Sequence, residues 1–201
     1  MTSKVAQWNK TDLEQAVVAA GGCAAEMRSW AQWQAHPQGQ AVNAEPLIAF
    51  SEDHRPHAKP WQGSVVRPLA GIKVLDLTRV LAGPTASRFL AGLGANVLRI
   101  DPPSWNEAGV VPEVTLGKRS TRLNLHDKAD RLLFESLLKD ADILLHGYRT
   151  DALQRLGYGP AERQALAPGL IDVSLNAYGW SGPWQHRRGF DSLVQMSSGI
   201  A

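Results

Sequence analysis

The chain reads as an α/β protein: a Rossmann-like, open, mainly parallel sheet with helices on both faces, preceded by a small helical segment. Three observations predict this. From Pro68 onward, short apolar runs alternate with helix-length segments. The runs are near-continuously apolar, as suits strands covered on both sides. The segments between them are long enough for crossovers, and crossovers join parallel strands.

Each element follows from local pattern. In "TDLEQAVVAAGG", Thr11 and Glu14 stand at capping-box spacing and Gly21-Gly22 makes a stop, predicting a helix. "AAEMRSWAQWQAHP" predicts a second helix closed by Pro37, with Met27, Trp30 and Trp33 on a packing face. "SEDHRPHAKPWQGSVVRP" has prolines and no period, and reads as a linker. The strands follow as "IKVLDL", "ANVLRID", "STRLNL", "DILLHG" and "GLIDVSLNAYG". Between them lie the helix "GPTASRFLAGLG", ending on Gly94, and the helix "DKADRLLFESLLKDA". The latter takes Asp127 as N-cap and places Leu133 and Leu137 on one face. Two short helices, "TDALQRLG" and "PAERQALAP", precede the fifth strand. The resulting division is a helical segment over 1–50, a linker over 51–67 and a Rossmann-like domain over 68–201.

Composition narrows the function. A formal charge of +2 with no block of Lys and Arg argues against nucleic acid as a partner. No apolar stretch approaches the roughly 20 residues that cross a bilayer, so no membrane association is expected. "MTSKVAQWNKTDLEQ" lacks the apolar core of a signal peptide. The single cysteine, Cys23, excludes an internal disulfide framework and a thiolate metal cluster. His54 and His57 are three apart but have no third ligand nearby, so no metal is expected. A cytoplasmic protein is the expectation.

In open parallel sheets, ligands sit beyond the carboxyl ends of the strands. The first exit, "TRVLAGP", opens a helix whose N-terminus suits a phosphate or carboxylate. Asp101 ends the second strand where a ribose-binding acid sits in dinucleotide folds. GxGxxG is absent, which leaves an NAD-dependent oxidoreductase as a secondary reading, and GxxxxGK[ST] is absent too. Lys118 and Arg119, Arg149 and Arg155, and Arg187 and Arg188 flank three strands. Together they would form a cationic rim for a phosphorylated ligand, with Tyr148 and Trp180 available to stack on an adenine.

The segment "PLAGIKVLDLTRVLAGPTASRFLAGLGANVLRID" resembles the amino-terminal signature of the family III coenzyme A transferases, the CaiB/BaiF type. That group includes formyl-CoA and carnitine-type CoA-transferases and the α-methylacyl-CoA racemases. The resemblance runs in order through "GKRSTRLNL", "ADILLHGYRTDALQRLGYG", "LIDVSLNAYGWSGP" and "RRGFDSLVQMSSGI". It implies coenzyme A or acyl-CoA as substrate, a carboxylic acid as co-substrate, no metal, and an interlocked homodimer or other partner chain. The family's CoA contacts then fall on Val80, Leu81 and Ala82; on Leu123, Asn124, Leu125 and His126; on Gly147 and Tyr148; and on Arg155 and Arg188.

Three departures from the family pattern bear on chemistry. Pro102 stands where a basic residue often follows the second strand's acid. Phe190 stands where the racemases carry a histidine base, and a phenyl ring cannot exchange an α-proton, which argues against racemization. The transferases attack an acyl-CoA thioester with an aspartate that follows a glycine well downstream of the "GFD" block. Asp191 matches that block's own acid and is a weak candidate, so the nucleophile is expected outside these residues. Residues 1–50 are similar to the family's carboxy-terminal region, which suggests a portion of a longer, tandem polypeptide. The resulting expectation is the CoA-binding part of a CoA-transferase, inactive alone; a non-catalytic CoA-binding or assembly module is the alternative.

Overall fold

The computed structural model describes residues 2–51, 61–106 and 109–201. His54 and His57 lie outside them, and among the described residues no cluster of His, Cys, Asp and Glu could hold a metal. No described helix is long and apolar enough to cross a membrane.

In chain order the elements are α1 (Thr2–Val5), α2 (Lys10–Ala19), α3 (Trp30–Ala35), α4 (Pro37–Ala44), β1 (Lys73–Leu77), α5 (Ala82–Gly92), β2 (Asn96–Asp101) and α6 (Val111–Val114). They continue with β3 (Arg119–Arg122), α7 (Lys128–Asp140), β4 (Ile143–His146), α8 (Ala152–Arg155), α9 (Pro160–Leu166), β5 (Ile171–Ser174) and α10 (Asp191–Ser198). They form two compact units, one from the residues up to 50 with 176–201, the other from those between 51 and 175.

The second unit is the expected parallel α/β layer. Its five strands run in the order β3-β2-β1-β4-β5, all parallel. Alternation along each strand sends side chains to opposite faces. Leu75, Leu77, Ile100 and Leu144 join Phe134 and Leu138 of α7 in one core. Val74 and Val97 pack with Leu90 and Ala91 of α5 in the other. Helices therefore cover both faces. Asp127 caps α7 as anticipated, accepting from the Ala129 and Asp130 amides. The buried face is Phe134 and Leu138, however, while Leu133 is half exposed. The α5 helix ends at Gly92, and Gly94 then reverses the chain with a φ of 106°, which a side chain would resist.

Burial on both faces holds for the inner strands but not for the edges. β3 is the polar Arg-Ser-Thr-Arg, and β5 is exposed along its length. Each has a neighbour on one side only. "LNL" leaves the ladder after Arg122, dropping Leu123 and Leu125 into the core.

In the first unit the helix starts differ from expectation. Asn9 caps α2 by accepting from the Thr11 amide, and Thr11 lies inside the first turn. Glu14 is buried and accepts from the Glu26 amide, Arg28 and Arg187, so it is not available for a capping box. The capping box is instead Ser29 and Gln32 at the head of α3, with hydrogen bonds of 3.2 and 2.8 Å. Residues 22–29 form no regular secondary structure, so Met27 is on no helix, and both Met27 and Trp30 are more than half exposed. Only Trp33 of the anticipated face is buried. Pro37 does not merely close a helix. It opens α4, where its missing amide costs nothing.

Candidate functional site at the carboxyl edge of the sheet

The strand order reverses direction between β1 and β4, and the chain leaves both strands at the same edge. After β1, the Asp76 carboxylate accepts from the Thr78 amide at 2.9 Å and its hydroxyl at 2.5 Å. This side-chain turn bends the chain at once. The Thr78 methyl then lies against Gly83, where an added Cβ would come within 2.3 Å of it. Val80, between them, has a φ of 68°. A β-branched residue avoids that region, and such strain gathers where a backbone is held for a purpose.

Three exits converge on Arg79. Its Nη2 donates to the Tyr148 hydroxyl at 2.7 Å, beyond β4. Its guanidinium lies 4.7 Å from the Trp105 ring centre, beyond β2, and 5.0 Å from that of Tyr148. Its Nε is 3.9 Å from Asp101 and donates a hydrogen bond to no group among the described residues. A guanidinium between two aromatic faces gains cation–π attraction and keeps a flat, donor-rich edge for an anion. Asp101 is itself gripped by Arg99 through Nε at 2.8 Å and Nη2 at 3.2 Å. That engagement fixes the carboxylate at the edge of the β2 exit.

Beside Asp101 opens a cleft of about 330 Å³ lined by Arg99, Asp101, Trp105, Thr115, Thr121 and Arg122, among others. Arg122 donates to the Pro103 carbonyl at 2.7 Å. Pro102 thus removes a cation from the chain after β2, while Arg79 and Arg122 bring guanidinium groups to that loop from β1 and β3. The lining suits an anionic group joined to a planar one.

The residues singled out in the sequence divide into groups. Val80 is half-buried, while Leu81 and Ala82 are exposed at the start of α5, which has no side-chain cap. Leu123 and Leu125 are buried in the core and offer a ligand only backbone, whereas Asn124 and His126 are exposed. Gly147 is exposed and Tyr148 half-buried at the β4 exit. These three loops share the carboxyl edge by topology. Arg155 lies on α8, ion-paired with Asp151 and 69% exposed. Arg188 belongs to the other unit, where Nη1 donates to the Gly21 carbonyl at 3.3 Å. Asp191 begins α10 and accepts from Gln195 at 2.7 Å.

The cationic rim is smaller than anticipated. The Lys118 side chain is fully buried against Asp76. Burial pushes its pKa below the ordinary lysine value, against the opposing pull of Asp76. Arg187 is buried in an ion pair with Glu14. Arg79 and Trp105 were missed in the sequence because neither belongs to a spaced motif. The only signal was their position two and four residues beyond strand ends.

The model of CoA-transferase family III matches residues 69–201. An acetyl-coenzyme A transferase of Hypoxylon pulicicidum is 38% identical over 164 residues, covering 79% of this chain and 27% of the relative. An acyl-CoA transferase of Gibberella moniliformis is 32% identical over 98% of this chain and 36% of its own length. That match therefore includes the amino-terminal helical residues as well as the sheet. An acetyl-CoA:oxalate CoA-transferase of Acetobacter aceti is 34% identical over 66% of this chain and 37% of its own. Among solved structures, the Rv3272 protein of Mycobacterium tuberculosis superposes with a TM-score of 0.61 at 33% identity, over 67% of this chain and 40% of that one. A CaiB/BaiF family protein of Brucella suis gives 0.58 at 30% identity, over 66% and 39%. The chain spans between a quarter and two-fifths of the length of these relatives. With five parallel strands in register and matches of this extent, the chain belongs to CoA-transferase family III.

Proposed function

We propose that this chain is the coenzyme A-holding part of an enzyme that moves CoA from an acyl-CoA to a carboxylic acid. The observation that carries the reading is the convergence of the β1, β2 and β4 exits on Arg79, next to a cleft lined by guanidinium groups and an indole. A phosphorylated nucleotide carrier has the matching chemistry, anionic groups joined to a flat ring. In this reading the backbone of 80–82, 123–126 and 147–148 lines the carrier, and Arg155 is a further contact. The names of the relatives support acyl-CoA and a carboxylate as the two substrates.

The chemistry of such a transfer needs a carboxylate nucleophile. It attacks the thioester carbonyl, the C–S bond breaks, and an acyl anhydride and a CoA thiolate form. The thiolate then attacks the enzyme's carbonyl and releases the acyl carboxylate, leaving an enzyme–CoA thioester for the second acid to resolve through the same steps. Asp191, bound to Gln195 in the first turn of α10, is not given this role, and the reading assigns the nucleophile to other residues of the full enzyme. It further assigns the enzyme a partner chain, on the resemblance to interlocked dimers.

Calorimetric titration tests the proposal. CoA is expected to bind in the micromolar range and NAD not to bind. No heat of binding at millimolar CoA overturns it, and preferential NAD binding favours the oxidoreductase.

A further inference from the structure

Lys118 is the one lysine whose side chain is wholly withdrawn from solvent among the ion pairs of the described residues, and its partner Asp76 is equally buried. Its ammonium has three protons and three acceptors. It donates to Asp76 Oδ2 at 2.9 Å in β1, to the Pro84 carbonyl at 2.8 Å in the first turn of α5, and to Ser87 Oγ at 2.6 Å one turn later. The Ser87 hydroxyl in turn donates to Asp76 Oδ2 at 2.5 Å. The other Asp76 oxygen folds Thr78. Every polar atom of the cluster thus has a partner.

The segments so joined are the two ends of one loop. Asp76 precedes it, Pro84 and Ser87 follow it in α5, and the loop Thr78 to Leu81 lies between, with Val80 in its strained conformation. A buried ion pair is seldom the stablest way to fill a core, since apolar residues of similar volume often do as well or better. What it supplies is a fixed geometry. Strain at Val80 persists only while its surroundings over-determine it.

We propose that Lys118, through Asp76, Ser87 and the Pro84 carbonyl, is a positioning residue that holds the Thr78–Leu81 loop in its ligand-ready shape. The proposal rests on the preceding reading in one respect, that this loop lines the CoA site. The lysine touches no ligand. It acts on the backbone of Arg79 to Ala82, so its removal degrades recognition beyond any loss of stability.

The test compares the protein with its Lys118→Met and Asp76→Asn/Lys118→Met variants by thermal unfolding, CoA titration and amide hydrogen exchange. Lys118→Met leaves a buried carboxylate uncompensated. It is expected to lower the midpoint, to weaken CoA binding at least tenfold, and to speed exchange at Arg79, Val80 and Leu81 more than in β1. The double variant removes the charge imbalance but not the lost bonds to Pro84 and Ser87. It is expected to regain the midpoint while CoA affinity and loop exchange stay impaired. Recovery of all three overturns the proposal, because the pair would then serve only charge balance. Unchanged loop exchange in Lys118→Met overturns it as well. Should that variant fail to fold, Ser87→Ala replaces it, with faster loop exchange supporting the proposal and unchanged exchange defeating it. If the unaltered protein does not bind CoA, the functional reading falls while hydrogen exchange still decides the role of Lys118.

Discussion

The two units bury charge in contrasting ways. In the sheet unit, Lys118 and Asp76 are closed into an interior whose bulk is aliphatic, with backbone ladders on every inner strand. In the helical unit, Glu14 lies between Arg28 at 3.1 Å and Arg187 at 2.7 Å, and both guanidinium groups rest on the Trp184 ring, at 5.2 and 4.0 Å. Around Trp184 gather Trp33, His36 and Tyr178. Its elements include helices of six and eight residues, too short to persist on their own. The contrast teaches that the sheet is specified by backbone pairing, with one ion pair tuning a loop, while the helical unit is specified by side-chain chemistry around one carboxylate.

That difference is sharpest at Glu14. Glu14→Gln removes the negative charge facing two buried arginines, and is expected to cost about 3–5 kcal/mol, as for breaking other buried pairs. Urea unfolding followed by tryptophan fluorescence would report it. A loss below about 1 kcal/mol would equate Glu14 with a surface ion pair and erase the contrast. The pH dependence gives a second reading of the same group. Burial raises the Glu14 pKa, but the Glu26 amide, Arg28 and Arg187 outweigh it and hold the carboxyl below its usual value. A lowered carboxylate contributes stability that is complete above the unfolded pKa, near about 4.3, and is lost as pH falls through the folded value. The protein is therefore expected to lose stability below about pH 4, and the Gln variant to show a flatter acid limb.

The second way to test the comparison is steric, in the sheet unit. Gly83→Ala sets a methyl 2.3 Å from the Thr78 side chain, which is itself pinned by Asp76. Neither partner can yield cheaply, so a loss of about 1–3 kcal/mol is expected despite the better helix propensity of alanine. Thermal unfolding against Gly92→Ala checks this, since Gly92 is also in α5 but meets no atom within 4 Å. Equal effects at the two glycines would mean that the loop adapts and is not held.

The same contrast governs what could be read in advance. The strand and helix alternation after Pro68 was legible because "VLDL", "VLRI" and "ILLH" must be buried wherever the chain goes. Site loops followed from topology, since parallel strands send their exits to one edge. The fate of individual charges was not legible from spacing. Lys118 sits in a polar "GKRS" run that looks solvated, yet the signal lay 42 residues earlier, in the lone acid of "VLDL". An acid in a covered strand requires a partner, but sequence does not say which. Around Met27 the composition resembled a helix, and the chain is instead irregular, with Arg28 and the Glu26 amide drawn to Glu14. Tertiary chemistry overrode local propensity there, in the unit that depends on it most.

The smallest expected stability effect carries the most functional information. Arg155 pairs with Asp151 one helical turn before it, yet its side chain is 69% exposed. Such pairs contribute little, because solvent screens them and the long side chain loses freedom in forming them. Arg155→Ala is thus expected to change stability by no more than about 0.5 kcal/mol. An exposed arginine on the helix that follows the β4 exit has, in the functional reading, a second use as a cation for the phosphorylated carrier. CoA titration of this variant separates the two. A several-fold rise in the CoA Kd that shrinks with added salt, at unchanged thermal midpoint, would mark Arg155 as a ligand cation acting at the sheet's edge. Unchanged affinity would leave it a surface charge and confine recognition to the inner group around Arg79.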